Sequence, residues 1–166
     1  ARRVLDVGCG EGALGAALAA RGARVTGIEH DPAAAAVASR RLSRVLAVTA
    51  EEAAEHLADR PDVVVVADVV EHLARPSDVL RSLRELLAPG GTLVFSLPNA
   101  THAAVLGGVF RGRWDRELEG IVADDHRTYA GRAGWTALLA SCGFRVTSMT
   151  GVPVRTPSSA GDRAAL

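Results

Sequence analysis

The chain has 166 residues, with 19 basic and 19 acidic side chains and a formal net charge of zero. Hydrophobic residues make up 48% and charged residues 23%, which excludes a disordered chain and suits one globular domain. A neutral chain lacks the field of a general nucleic-acid binder, and no apolar run approaches the ~18 residues of a membrane span. Neither nucleic acid nor membrane is therefore an expected partner. Cys9 and Cys142 alone make neither a disulfide framework nor a metal site, so no metal is expected and a reducing cytoplasm is the expected location.

Short β-branched runs alternate with longer Ala/Leu/Arg segments. Val4–Val7 reads as a strand, followed by a glycine-rich turn and a helix near Ala13–Arg21. Arg24–Ile28 is a second strand. Asp31 and Pro32 supply an N-cap and a first helical residue for a helix running to about Leu42. Val45–Thr49 is the third strand, and Glu51–Ala58 a short helix. The unbroken run Val63–Ala67 predicts a strand buried on both faces of a parallel sheet. Ser77–Leu87 places Val79, Leu80, Leu83, Leu86 and Leu87 at the spacing of an amphipathic helix. Pro89-Gly90-Gly91 stops it before a fifth strand at Thr92–Leu97. Periodicity weakens from Pro98 to about Tyr129. Ala133–Ser141 is a final helix capped by Gly143, and Phe144–Thr150 a last strand. The alternation predicts a doubly wound α/β sheet. Pro153–Gly161 reads as a tail.

The first candidate site is Val4-Leu5-Asp6-Val7-Gly8-Cys9-Gly10-Glu11-Gly12. Alternate glycines after a hydrophobic strand let backbone approach a ligand, and the next helix offers free N–H groups at its start. Nineteen residues after Gly10 stands Glu29, an acid placed to accept bonds from the ribose hydroxyls of an adenosine. Two cofactor classes fit, because Gly10-x-Gly12-x-x-Gly15 also satisfies the dinucleotide fingerprint. Charge separates them. The pyrophosphate of NAD is repelled by the Asp6 carboxylate, whereas S-adenosylmethionine brings an ammonium and a sulfonium that carboxylates favour.

Val4–Gly12 resembles motif I of class I S-adenosylmethionine-dependent methyltransferases, and Val25–Glu29 their second-strand motif. Asp62–Leu73 is similar to their fourth-strand region, and Leu87–Leu93 to the turn into strand five. Glu71-His72-Leu73, Pro98–His102 and Asp124–Tyr129 look most like the branch with ubiquinone-type O-methyltransferases and methyltransferases encoded beside glycosyltransferases.

The resemblance implies a Rossmann-like, mostly parallel sheet of strand order 3-2-1-4-5-6, with the antiparallel seventh strand missing or truncated. It implies that Gly8, Gly10 and Gly12 line the methionine and ribose part of the cofactor, with Asp6 toward its amino group and Glu29 toward the ribose. The adenine contact, commonly an Asp, is replaced here by Thr49-Ala50-Glu51-Glu52. Ala50 and Glu51 are the expected substitutes, with Glu52 an alternative. Backbone around Asp68 and Val69 holds the methionine end.

Methyl transfer from a sulfonium is an in-line displacement, governed by positioning. A hydroxyl acceptor also gains from a base with a pKa near neutrality, which favours histidine. His126, beside Asp125, is the first expectation for that base and His102 the second; His72 reads as a loop-structuring residue. Residues 101–130 are expected to face the substrate, with Val105, Leu106, Val109, Phe110 and Trp114 forming an apolar wall or a packing helix. Arg111, Arg113 and Arg116 read as a solvated face. The expected activity is methyl transfer from S-adenosylmethionine to a small-molecule or glycan-like acceptor, on oxygen. An NAD-dependent oxidoreductase and a non-catalytic S-adenosylmethionine-binding domain are the alternatives. Residues 1–150 form the expected core, trimmed at both ends, and residues 151–166 a tail or truncated end.

Overall fold

The computed structural model describes residues 1–57, 59–112, 114, 121 and 123–152. The proposed tail from Pro153 onward, and Arg113 and Arg116, lie outside the described residues. Five strands form one sheet: β1 (Arg3–Val7), β2 (Arg24–Ile28), β3 (Arg44–Leu46), β4 (Val63–Ala67) and β5 (Thr92–Ser96). Their spatial order is β3-β2-β1-β4-β5, and every pairing is parallel. The helices are α1 (Ala13–Ala19), α2 (Pro32–Ala38), α3 (Pro76–Leu86), α4 (Ala103–Val109) and α5 (Arg132–Ser141).

The alternating side chains of the central strands feed two cores. Leu5 and Val7 of β1 and Val64 and Val66 of β4 join Val79, Leu80 and Leu83 of α3 and Trp135 and Leu139 of α5. Val4 and Val65, pointing the other way, pack with Val25, Ala38 and Leu42. Each face of β4 thus meets apolar partners, which is why its sequence is continuous valine rather than alternating. The predicted N-cap is present: Asp31 Oδ1 accepts the Ala33 N–H at 3.0 Å, with Pro32 in the first turn of α2.

Three expectations change. The third strand is three residues rather than five, because the edge strand pairs with β2 only through Leu46 and the chain then turns inward, with Val48 packing on the larger core. The segment after Glu51 is a 3-10 turn, Ala53–His56. Phe144–Thr150 carries no strand. Gly143, at φ 82°, reverses the chain, and the Phe144 N–H bonds back to the Leu139 carbonyl in the six-to-one pattern of a helix end. Phe144 and Val146 bury against the larger core, but an open crevice separates Phe144–Ser148 from Leu93 and Phe95, so no ladder with β5 forms. Among the described residues, no helix is long and apolar enough to cross a membrane.

The sheet's lower end is tied by charge. The Arg3 guanidinium and backbone N–H both donate to the Asp62 carboxylate, at 2.8 Å each, joining the starts of β1 and β4. Arg3 holds the Asp62 carboxyl down at about 2, below the ~3.9 of a free aspartate. A depressed carboxylate stabilises the fold above its unfolded value and loses that contribution as pH falls through the folded one. Asp62→Asn should therefore lower the melting temperature at pH 7. Calorimetry should show the gap to the parent closing between about pH 4 and pH 2.

Candidate functional site

The carboxyl ends of the strands open onto a cleft lined by Gly8, Glu29, Ala50, Glu51, Asp68 and Val69, among others. Strand order reverses between β1 and β4, the place where an open α/β sheet leaves a crevice for a ligand. After β1 the chain turns at once, with the Gly8 and Cys9 N–H groups both bonded to the Ile28 carbonyl at 2.8 and 2.9 Å. Gly8 sits at φ 70°, and a β-carbon there would collide with Val69 Cγ2 across the cleft. Gly12, at φ 80°, lies against the Ala38 backbone, bringing α1 and α2 together.

Glu29 organises this turn. Buried at the end of β2, it accepts the Gly10 N–H on one carboxylate oxygen at 2.8 Å and the Asp31 N–H on the other at 2.9 Å. His30, exposed, lies 3.1 Å from the second oxygen. The carboxylate faces the cleft with its remaining lone pairs, so a ligand hydroxyl would meet an acceptor already fixed in place.

Of the expected cofactor residues, Gly8, Glu29, Ala50, Glu51, Asp68 and Val69 line the cleft, whereas Asp6, Gly10 and Gly12 do not. Asp6 is buried beneath the loop, where the Gly15 N–H bonds to it and Oδ2 has no partner. Burial pushes its carboxyl up, partly opposed by that bond. The two acids after β3 separate cleanly. Glu52 turns back to Thr49, accepting its N–H and hydroxyl at 3.0 Å while the Glu52 N–H donates to the hydroxyl. That reciprocal cap occupies Glu52 and leaves Glu51 to the cleft.

Asp68 is the one non-glycine residue at positive φ among those described, at 52°, and the Ser96 hydroxyl donates to its Oδ1 at 2.7 Å. A left-handed aspartate costs conformational energy, so its surroundings must hold it there, and it carries the chain from β4 into the 3-10 turn Val70–His72.

That turn supplies what the sequence left unassigned. Glu71 is buried, its carbonyl accepting the Arg127 and Thr128 N–H groups, and its carboxylate Oε2 has no partner. Burial pushes the Glu71 carboxyl up. His72 lines the cleft with Leu73, Asp125 and Arg127, and its ring meets that of His126 edge-on at 4.8 Å. His126 is buried, with Nδ1 3.3 Å from the Ile121 carbonyl. His102 instead caps α4, its Nδ1 accepting the Ala104 N–H, and it does not line the cleft. Glu71 is legible in the sequence only as part of Glu71-His72-Leu73; its burial comes from the turn, which no periodicity announces.

A parallel sheet, a glycine loop after its first strand and an acid closing its second define a nucleoside-cofactor site of the doubly wound α/β class. The chain belongs to the methyltransferase domain family, which it matches over residues 1–149. It is 41% identical over 111 residues to a ubiquinone biosynthesis O-methyltransferase of Pseudomonas syringae pv. tomato, covering 63% of this chain and 48% of that protein. To the ubiquinone biosynthesis O-methyltransferase of Pseudomonas aeruginosa it is 34% identical over 157 residues, 91% of this chain and 68% of the relative. The chain thus spans about half the length of the first relative. A SAM-dependent methyltransferase structure from Archaeoglobus fulgidus shares the fold, with a TM-score of 0.70 at 23% identity over 87% of this chain and 61% of that one. The dinucleotide alternative suggested by Gly10-x-Gly12-x-x-Gly15 is not favoured beside these matches.

Gly8→Ala should both strain the turn and force Val69 out of the cleft. A loss of ~1–3 kcal/mol in denaturant-unfolding stability is expected. An unchanged unfolding midpoint would contradict the close approach of the two strand ends.

Proposed function

We propose that the cleft binds S-adenosylmethionine and that the protein transfers its methyl group to a hydroxyl oxygen of a small-molecule or glycan-like acceptor. The observation that carries this is the charge of the lining: Glu29, Glu51, Asp68, Asp124 and Asp125 are gathered where a cationic cofactor would lie, with Arg127 their guanidinium counterweight. Glu29 receives the ribose, Ala50 and Glu51 the adenine side, and Asp68 and Val69 the methionine end. Asp6 supports the amino group from beneath the loop.

The acceptor oxygen attacks the methyl carbon as the carbon–sulfur bond breaks, and the hydroxyl proton leaves to a neighbouring base. Catalysis then rests mainly on holding donor and acceptor in line. His126 serves the proton, because its Nδ1–H donating to Ile121 leaves Nε2 as the basic nitrogen. His102 is left to the start of α4. Leu106, Val109, Phe110 and Trp114, all exposed, supply an apolar surface for the acceptor within residues 101–130.

Calorimetric titration with S-adenosylmethionine, S-adenosylhomocysteine and NAD tests this directly. Binding of the first two without NAD is expected. Glu29→Gln should weaken S-adenosylmethionine binding by ~1–3 kcal/mol, the range for a hydrogen bond to a charged group. NAD binding without S-adenosylmethionine binding would overturn the proposal, and binding without methyl transfer to any hydroxyl acceptor would favour a non-catalytic binding domain.

A further inference from the structure

Arg127 carries the one permanent positive charge among the described residues that line the cleft. Its main chain is fixed: the Arg127 N–H donates to the Glu71 carbonyl at 2.7 Å, and the Thr128 N–H to the same oxygen at 3.1 Å. The side chain is exposed, and among the described residues its guanidinium has no hydrogen-bond or ion-pair partner. Asp125 is turned instead to His72, with Oδ2 3.3 Å from the ring Nδ1. A side chain held at its root, in a lining otherwise acidic, leaves its N–H donors to a ligand. The cofactor does not account for them. Its sulfonium and ammonium are repelled by a guanidinium. Its one carboxylate shares a carbon with that ammonium, which the proposed binding mode places at the loop after β1. Arg127 hangs instead from the turn after β4, beside the histidine proposed to take the acceptor's proton. Its guanidinium therefore belongs with the acceptor.

We propose that Arg127 selects an acceptor carrying a carboxylate as well as its hydroxyl, and grips that carboxylate through the guanidinium fork. This deepens the methyltransferase reading, on which it rests. A planar guanidinium meets a carboxylate with two parallel N–H···O bonds, which fix orientation as well as contact. Charge narrows the class further. One cation stands among the carboxylates of Asp68, Asp124 and Asp125, so it matches a monoanion. The dianion of a phosphate monoester would leave a negative charge facing those acids. The acceptor's carboxylate also brings negative charge to a site that holds a cationic cofactor, so donor and acceptor favour each other's binding. Held at its charged end, the acceptor has fewer ways to place its hydroxyl, which is the positioning that an in-line displacement needs.

Matched probes that differ in the charged group test the assignment: 3-hydroxybenzoate against 3-hydroxybenzamide, and glucuronate against glucuronamide, each titrated into protein saturated with S-adenosylhomocysteine. In at least one pair the carboxylate should bind the parent at least ~10-fold more tightly than its neutral partner. That preference should vanish in Arg127→Gln, and Arg127→Lys, which keeps the charge and loses the fork, should fall between. The structural bond of residue 127 is made by its main chain, so unchanged affinity for S-adenosylhomocysteine is expected in both variants. A preference that persists in Arg127→Gln, or a parent that shows none in either pair, would overturn the proposal. A ~10-fold loss of S-adenosylhomocysteine affinity in Arg127→Gln would assign the guanidinium to the cofactor's own carboxylate and overturn it equally. Failure of the parent to bind S-adenosylhomocysteine at all would instead count against the methyltransferase reading.

Discussion

The grip of Glu29 on two backbone amides is the interaction on which the site depends. One carboxylate oxygen holds Gly10 in the loop after β1, and the other holds Asp31 at the start of α2. Those amides belong to different strand–helix units, so a single buried anion fixes the distance between them. Without it, the glycine loop would be free to sample the conformations that make glycine useful in a turn and costly to order. The same carboxylate faces the cleft. Structural anchor and proposed ligand acceptor are one group, held in place by two backbone amides.

The rest of the fold delivers residues to that point. Parallel pairing of all five strands puts their carboxyl ends on one side, where residues from the ends of β1, β2 and β4 meet those following β3. Burial of both sheet faces leaves the strands little freedom to slip, since a shift of one residue would exchange the sets of side chains feeding the two cores. Asp68 shows where this order is spent locally. It leaves β4 in a left-handed conformation, braced by Ser96 from β5, and so turns Glu71 inward and His72 toward the cleft.

Much of this was legible in the residues. Valine repeats and glycine stops located all five strands, and spacing alone put Glu29 opposite the glycine loop. The misses have physical causes. Phe144–Thr150 has the alternating pattern of a strand, but a strand needs a hydrogen-bonding neighbour, and the crevice beside β5 denies it one. The short helix α4 was one of two readings of its apolar residues, because Gly107 and Gly108 lower its propensity and its burial falls on Val105 alone. Thr49 and Glu52 pair in a cap that sequence left open between two adjacent acids, and His102 looked like a base because its position at a strand end is also a helix start. Glu71 lies furthest from sequence reasoning: its burial and its unpartnered oxygen exist only once Arg127 and Thr128 close over the turn.

The most direct measurement is a crystal structure of the protein with S-adenosylhomocysteine. Both ribose hydroxyls should lie within hydrogen-bond distance of the Glu29 carboxylate, with the sulfur over Asp68 and Val69 on the side facing His72. A nucleoside bound elsewhere, or a ribose turned away from Glu29 in this cleft, would contradict the assignment.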